Sequence, residues 1–174
     1  APGGREDEKL DKRLEDAGGS PATVKTKEAI QKMFSKMGMD EERYANFVKA
    51  IATKESGGKN NKEAYEKNKA NALAILNKSG NKSGGSYIGK FQIGWDRMYR
   101  NETARMRRKY GLQDLIPAGT ETFLDGPKGK KVKRSRMGER EYINFVLSPE
   151  GYQVQELIFL HFAERNYSGW IGRA

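Results

Sequence analysis

Residues 44–58 read Tyr44-Ala45-Asn46-Phe47-Val48-Lys49-Ala50-Ile51-Ala52-Thr53-Lys54-Glu55-Ser56-Gly57-Gly58. Projected at about 3.6 residues per turn, Tyr44, Phe47, Val48 and Ile51 share one stripe of a helix. The next position on that stripe is Glu55. The helix therefore carries a carboxyl to its core-facing side, where burial without a partner disfavours the charged form. Ser56-Gly57-Gly58 is a helix terminator, since glycine accepts the left-handed cap. That places Glu55 at the negative end of the helix dipole, which disfavours ionisation again. Both effects favour a carboxylic acid that keeps its proton near neutral pH, the property required of a general acid in glycoside cleavage. An ordinary last-turn glutamate would instead bend out to solvent or pair with a lysine.

On either side of this stretch the pattern is mostly helical. Ile30, Met33, Phe34 and Met37 stand at helical spacing and Gly38 ends the run. Asp40 is a candidate cap for the Tyr44 helix. A further helix is expected over 62–77, with Tyr65, Ala72, Leu73 and Leu76 inward, before Gly80, Gly84 and Gly85 break it. Tyr87-Ile88-Gly89-Lys90-Phe91-Gln92-Ile93 is aromatic and glycine-broken, so it reads as an extended or turn segment. Trp95, Met98, Tyr99, Met106 and Tyr110 suggest another helix, and residues 122–133 a small hairpin. Tyr142, Ile143, Phe145 and Val146 open the last helical region. Ser148-Pro149-Glu150 is a helix start, with a capping hydroxyl before a proline. Val154, Leu157, Ile158, His161 and Phe162 form one apolar face. The expected class is α+β, mostly α, with a small β element.

The 174 residues suit one domain with a tail. Residues 1–22 read as a flexible polar tail or linker, running from Pro2-Gly3-Gly4 through a mixed charge run to Gly18-Gly19-Ser20-Pro21. Leu10 and Leu14 can form a short helix against a partner, but the charges favour the solvated reading. Residues 23–174 form the expected functional domain. The chain begins with Ala1 rather than Met, which points to a processed or excised piece.

The net charge of +10 draws the chain toward polyanions, whether nucleic acid, anionic membrane or bacterial wall. With no cysteine there is neither a disulfide framework nor a thiolate metal site. A single histidine leaves multi-histidine metal sites and Ser-His-Asp schemes unsupported, so the expected cofactor and metal are both none. No apolar run reaches the length of a membrane span, and no signal peptide is visible. No P-loop or dinucleotide-binding signature appears.

Glu55-Ser56-Gly57-Gly58 followed by Gly89-Lys90-Phe91-Gln92-Ile93 resembles the lytic transglycosylases and goose-type lysozymes, whose hallmark is a helix ending in Glu-Ser and then a Gly-x-x-Gln segment. The resemblance covers about a third of the chain. It implies a lysozyme-like fold and cleavage of the MurNAc-GlcNAc β-1,4 bond of peptidoglycan. By motif, Glu55 is then proton donor and later base, and Ser56 helps to hold the acid or the sugar. Gln92 and the Gly89 backbone line the groove, and Phe91 packs beneath, a role that ordinary core packing would equally fill. Departures are Ser86-Tyr87 where the family usually has Gly-Ala, and Lys90 where an apolar residue is typical. Tyr87 is a sugar-stacking platform or a space filler. The family's Ala-Tyr-Asn-x-Gly near the C-terminus has its closest echo in Ala163-Glu164-Arg165-Asn166-Tyr167-Ser168-Gly169, which makes Tyr167 the candidate for the tyrosine facing the acid. These differences suggest a divergent, phage-associated or secreted effector muramidase.

A two-carboxylate hydrolase needs a second Asp or Glu across the bond. Asp96, Glu102 and Asp114 are available, but each reads better as surface charge. A lytic transglycosylase needs only the acid, because the substrate's N-acetyl oxygen attacks the anomeric carbon and a 1,6-anhydro sugar results. One clear acid without a clear partner favours that mechanism; a goose-type-like hydrolase is the alternative. The expected partners are peptidoglycan glycan strands and, secondarily, an inhibitor or immunity protein. The expected place is periplasmic or extracellular, facing the wall, with delivery by a secretion system or phage particle. Two non-catalytic readings compete. One is a basic nucleic-acid-binding or wall-binding module, motivated by Lys128, Lys130, Lys131, Lys133, Arg134 and Arg136. The other is a docking protein with an inactive lysozyme-like fold. His161 reads as a satisfied core histidine, and Trp95 and Trp170 as core or sugar-stacking residues.

Overall fold

The computed structural model describes residues 2–38, 46, 48–50, 53–54, 59–79, 87–94, 102–112, 114–116 and 136–173, with the side chains of 2–7, 75–79, 104, 136–139 and 165–173 outside the description. In chain order the elements are α1 (Pro2–Asp16), α2 (Val24–Met37), the single turn α3 (Lys62–Tyr65), α4 (Lys69–Ser79), β1 (Tyr87–Ile88), β2 (Ile93–Gly94), α5 (Thr103–Lys109), α6 (Arg136–Val146), a 3₁₀ turn (Pro149–Gly151) and α7 (Tyr152–Arg173). The two strands pair antiparallel, Tyr87 opposite Gly94 and Ile88 opposite Ile93. The protein is thus α+β, mostly α, with one small sheet among the described residues.

The segment expected to be a solvated tail is a docked helix. Leu10 and Leu14 of α1 are fully buried, and Ala17 nearly so. They lie at positions i, i+4 and i+7, one apolar stripe among charges. α1 packs against α2, whose inward residues are Thr26, Ala29, Ile30, Met33 and Phe34. Lys27 Nζ meets Asp11 Oδ2 at 2.8 Å, and Arg13 Nε donates to Glu156 Oε1 at 2.7 Å. α2 starts at Thr23, whose Oγ1 accepts from the Thr26 amide, and ends at Gly38 in the left-handed conformation.

α7 is the hub of the domain. From Tyr152 to His161 every side chain is buried, so this helix is enclosed on all sides rather than on one apolar stripe. Its polar residues are tolerated there because each fastens a neighbouring element. Gln153 Oε1 accepts from the Thr23 amide and from Thr26 Oγ1, at 3.0 and 2.6 Å. Gln155 Nε2 donates to the carbonyls of Tyr65 and Val146, at 2.9 and 2.7 Å. His161 Nδ1 contacts Glu102 Oε2, and the Tyr110 ring meets the imidazole edge-on. The histidine is a satisfied core residue. Glu102 is correspondingly not surface charge: it is fully buried.

The helix expected over 62–77 is interrupted. Asn61 caps α3 by accepting from the Ala64 amide, and Asn68 then takes the left-handed conformation, φ 68°. The break exposes backbone groups that receive the sheet: Lys67 O accepts from the Gly89 amide at 3.0 Å, and Asn68 Nδ2 donates to Tyr87 O at 2.8 Å. At 148–150 the expected capping hydroxyl does not cap. Ser148 Oγ donates backward to Phe145 O, and the proline opens a 3₁₀ turn before α7. Asp40, Trp95, Met98, Tyr99, Asp96, the 122–133 hairpin and the basic run 128–134 lie outside the described residues; of Arg136 only the backbone is described.

Candidate functional site

Three of the expected site residues, Tyr87, Gly89 and Gln92, come together on the β1–β2 hairpin. Tyr87 is 55% exposed, the most exposed aromatic among the described residues. Gly89 has φ 78°, and a Cβ built on it would lie 2.4 Å from Gln155 Oε1. Both the dihedral and the close approach demand glycine. Gln92 also occupies the left-handed region, φ 47°, and its Nε2 donates to Gly89 O at 2.9 Å. A non-glycine residue there is uncommon, and it persists only where the surroundings over-determine it.

The determination comes from below. Gln155 Oε1 accepts from the Lys90 amide at 3.0 Å while its Nε2 holds Tyr65 and Val146, so one side chain ties the turn to α3, α6 and α7. Phe91 is buried and stacks on Phe159, ring centroids 4.3 Å apart, which makes its role core packing under the turn. Lys90 too points inward, 1% exposed. Its Nζ donates to Asn60 Oδ1 at 2.7 Å and to Glu156 Oε2 and Tyr65 Oη at 3.4 Å each. It lies 5.0 Å from the Tyr65 ring centroid and 5.2 Å from that of Phe91.

A buried cation in this setting requires a buried anion. Glu156 supplies it and is shared with Arg13. Burial alone would raise the Glu156 carboxyl; Arg13 and then Lys90 overcome that and hold it below the ordinary carboxylate range. Burial first, and Glu156 second, keep the Tyr65 phenol neutral far above its usual titration. Tyr152 stacks on Tyr65 at 4.5 Å and gives its hydroxyl to Glu66. The Arg13–Glu156–Lys90 chain therefore links α1, α7 and the hairpin through the core. Arg13, Tyr65, Gln155 and Glu156 were not singled out as site residues from the sequence. The signal was Gln155-Glu156 set inside the run Val154 to Leu160, where a glutamate must find cations.

The remaining expected residues are not placed by the structure. Glu55 and Ser56 lie outside the described residues. On the helix before them, Val48 is buried while Asn46, Lys49, Ala50, Thr53 and Lys54 are exposed, as the stripe through Val48 requires. Tyr167 belongs to α7, and its side chain is outside the description. Asp114 is exposed. Among the described residues no group of three or more His, Cys, Asp or Glu side chains can hold a metal ion, and no helix is long and apolar enough to cross a membrane. Comparison with protein-family models, with curated proteins and with solved structures returned no match.

Proposed function

We propose that this protein cleaves the MurNAc-GlcNAc β-1,4 bond of peptidoglycan as a lytic transglycosylase, with Glu55 as general acid and then base. The observation that supports this best is the Gly89-x-x-Gln92 turn. It presents backbone and amide groups in a strained, glycine-dependent shape that Gln155 and the buried Lys90–Glu156 pair lock from beneath. Groups that position a substrate work best when their own support is rigid. Tyr87, exposed beside the turn, offers an aromatic face of the kind on which a sugar ring stacks.

In this mechanism Glu55 gives its proton to the leaving glycosidic oxygen as the bond to the anomeric carbon breaks. The substrate's own N-acetyl oxygen bonds to that carbon. The sugar's O6 then displaces the acetamido oxygen and returns a proton to Glu55, leaving a 1,6-anhydro product. Only one carboxyl is needed. Of the carboxylates weighed for a two-carboxylate hydrolase, Glu102 is engaged with His161 in the core and Asp114 is exposed, while Asp96 lies outside the described residues. Ser56 and Tyr167 are assigned to holding the acid and the sugar. The wall-facing compartment, periplasmic or extracellular, is where such an enzyme acts, reached by way of a secretion system or phage particle, and an inhibitor or immunity protein is its expected regulator. Release of soluble fragments from dye-labelled peptidoglycan, compared for wild type and Glu55→Gln, tests the assignment. Release by wild type and loss of at least about a hundredfold in the variant is expected for removal of a general acid; equal release would remove Glu55 from the mechanism.

A further inference from the structure

Lys90 stands between Gly89 and Gln92, yet its side chain is 2% exposed and its ammonium group runs into the protein. Nζ donates to Asn60 Oδ1 at 2.7 Å, while Glu156 Oε2 and Tyr65 Oη lie at 3.4 Å each. Of these three contacts the shortest is therefore to the neutral amide and not to the carboxylate. An ammonium offers donors alone, so the Asn60 amide turns its oxygen to it, and the charge strengthens the bond. Asn60 leads into α3: the next residue, Asn61, caps that turn by accepting from the Ala64 amide at 2.9 Å. In the sequence Asn60 follows Glu55 by five positions, with Ser56, Gly57, Gly58 and Lys59 between them. Five residues of chain reach at most about 18 Å, so holding Asn60 limits the positions open to Glu55. The far end of α3 is joined to the hairpin separately, since Lys67 O accepts from the Gly89 amide at 3.0 Å and Asn68 Nδ2 donates to Tyr87 O at 2.8 Å. Lys90 adds a bond at the start of α3. A buried ion pair contributes little net stability over an apolar pair of similar volume. The reach to Asn60 is what an apolar side chain at position 90 could not supply.

We propose that Lys90 is a positioning residue for the cleavage reaction: it fastens the Gly89–Gln92 turn to Asn60, at the end of the segment that carries Glu55. This inference rests on the functional reading given above and deepens it. The backbone of Lys90 is held by Gln155, which accepts from its amide at 3.0 Å, so the aliphatic stem runs from a fixed anchor. Glu156 supplies the anion that lets the ammonium stay charged in the core, and Asn60 takes the bond that crosses between the two motifs. Lys90 touches no substrate. It acts on the distance between acid and turn, and a misplacement of about 1 Å at a reacting centre can cost about a hundredfold in rate. An interaction that matters in the transition state alone lowers kcat and leaves KM in place.

The test uses the full chain and two readouts. The first is initial rates on soluble, uncrosslinked peptidoglycan strands over a range of concentration, which separate kcat from KM. Asn60→Ala removes the acceptor at a partly exposed position, and Lys90→Met/Glu156→Met removes the tether without leaving a buried charge unpaired. Both should lose about tenfold in kcat with KM within about twofold of wild type. Asn60→Asp keeps an acceptor for the ammonium and should stay within about threefold of wild type in kcat. The control Asn71→Ala, at an exposed position on α4, should change neither constant. The second readout is amide hydrogen exchange of the fragment 53–61, which needs no cleavage. It should quicken by about threefold or more in Asn60→Ala, and not in the control. Circular dichroism confirms that each variant is folded. An Asn60→Ala variant with kcat within about twofold of wild type, or an Asn60→Asp variant that falls as far as Asn60→Ala, would overturn the positioning role. If wild type cleaves nothing, the functional reading fails and the exchange still decides the tether: faster exchange in Asn60→Ala upholds it, and unchanged exchange overturns it.

Discussion

Replacing Glu156 by glutamine separates the two cations of the buried chain from their anion. Arg13 is 18% exposed and can turn to water, but Lys90 is 2% exposed in its side chain and cannot. Asn60 and Tyr65 remain to it as neutral acceptors. Breaking a buried pair by removing one partner costs about 3–5 kcal/mol, a large share of the roughly 5–15 kcal/mol that holds a domain together. For a chain of this size that is a fall in Tm of about 6–20 °C. The loss depends on pH in a defined direction. Glu156 is held below the ordinary glutamate value of 4.5 in the folded state, so the stability it contributes is present above about pH 4.5 and is lost as pH falls through the folded value. The gap between wild type and Glu156→Gln should therefore be widest near neutrality and close in acid. The double variant Lys90→Met/Glu156→Met removes both charges and should recover most of the loss, because an apolar pair of similar volume needs no desolvated charge. Urea unfolding at pH 7 and pH 3 reads all three proteins. A Glu156→Gln variant within about 1 kcal/mol of wild type at pH 7, or a double variant no better than the single one, would mean that the buried lysine does not depend on Glu156.

Gly89→Ala forces a Cβ into Gln155 and a side chain onto a left-handed backbone; a loss of about 2–4 kcal/mol is expected in unfolding titrations, together with loss of wall cleavage. Leu14→Ala should destabilise by about 2–5 kcal/mol, whereas a solvated tail would give no measurable change in Tm. Tyr110 is pushed up to about 12, by burial first and by the Glu164 carboxylate second. Its unfolded form loses a proton from about pH 10, so its stability contribution is full below that pH and is lost between about pH 10 and 12, and thermal melts across that window should fall steeply.

Helical spacing located α2, α6 and α7, because each carries enough apolar residues to set a period, and glycine breaks in an aromatic run located the turn at 87–93. α1 was hidden because two leucines in a run of Glu, Asp, Lys and Arg weigh little, and their burial depends on a partner helix that only tertiary structure supplies. The break at Asn68 follows from a hydrogen bond to Tyr87, nineteen residues away, which no local pattern records. Gln153, Gln155, Glu156 and His161 read as interruptions of an apolar face, yet they are what joins α7 to its surroundings. The turn at Gly89–Gln92 was legible from its glycine-broken aromatic run, and the left-handed dihedrals of both residues are how the chain turns there. Lys90 was visible as an oddity, but its inward course and its pairing with Glu156 were not, since the partner lies 66 positions along the chain.

Mass spectrometry of the fragments that the wild-type protein releases from purified peptidoglycan decides between the transglycosylase and hydrolase chemistries. Muropeptides ending in 1,6-anhydro-MurNAc are expected, formed by wild type and absent with Glu55→Gln. Fragments with ordinary reducing ends would contradict the transglycosylase mechanism, and no fragments from any wall type would contradict the enzyme reading itself.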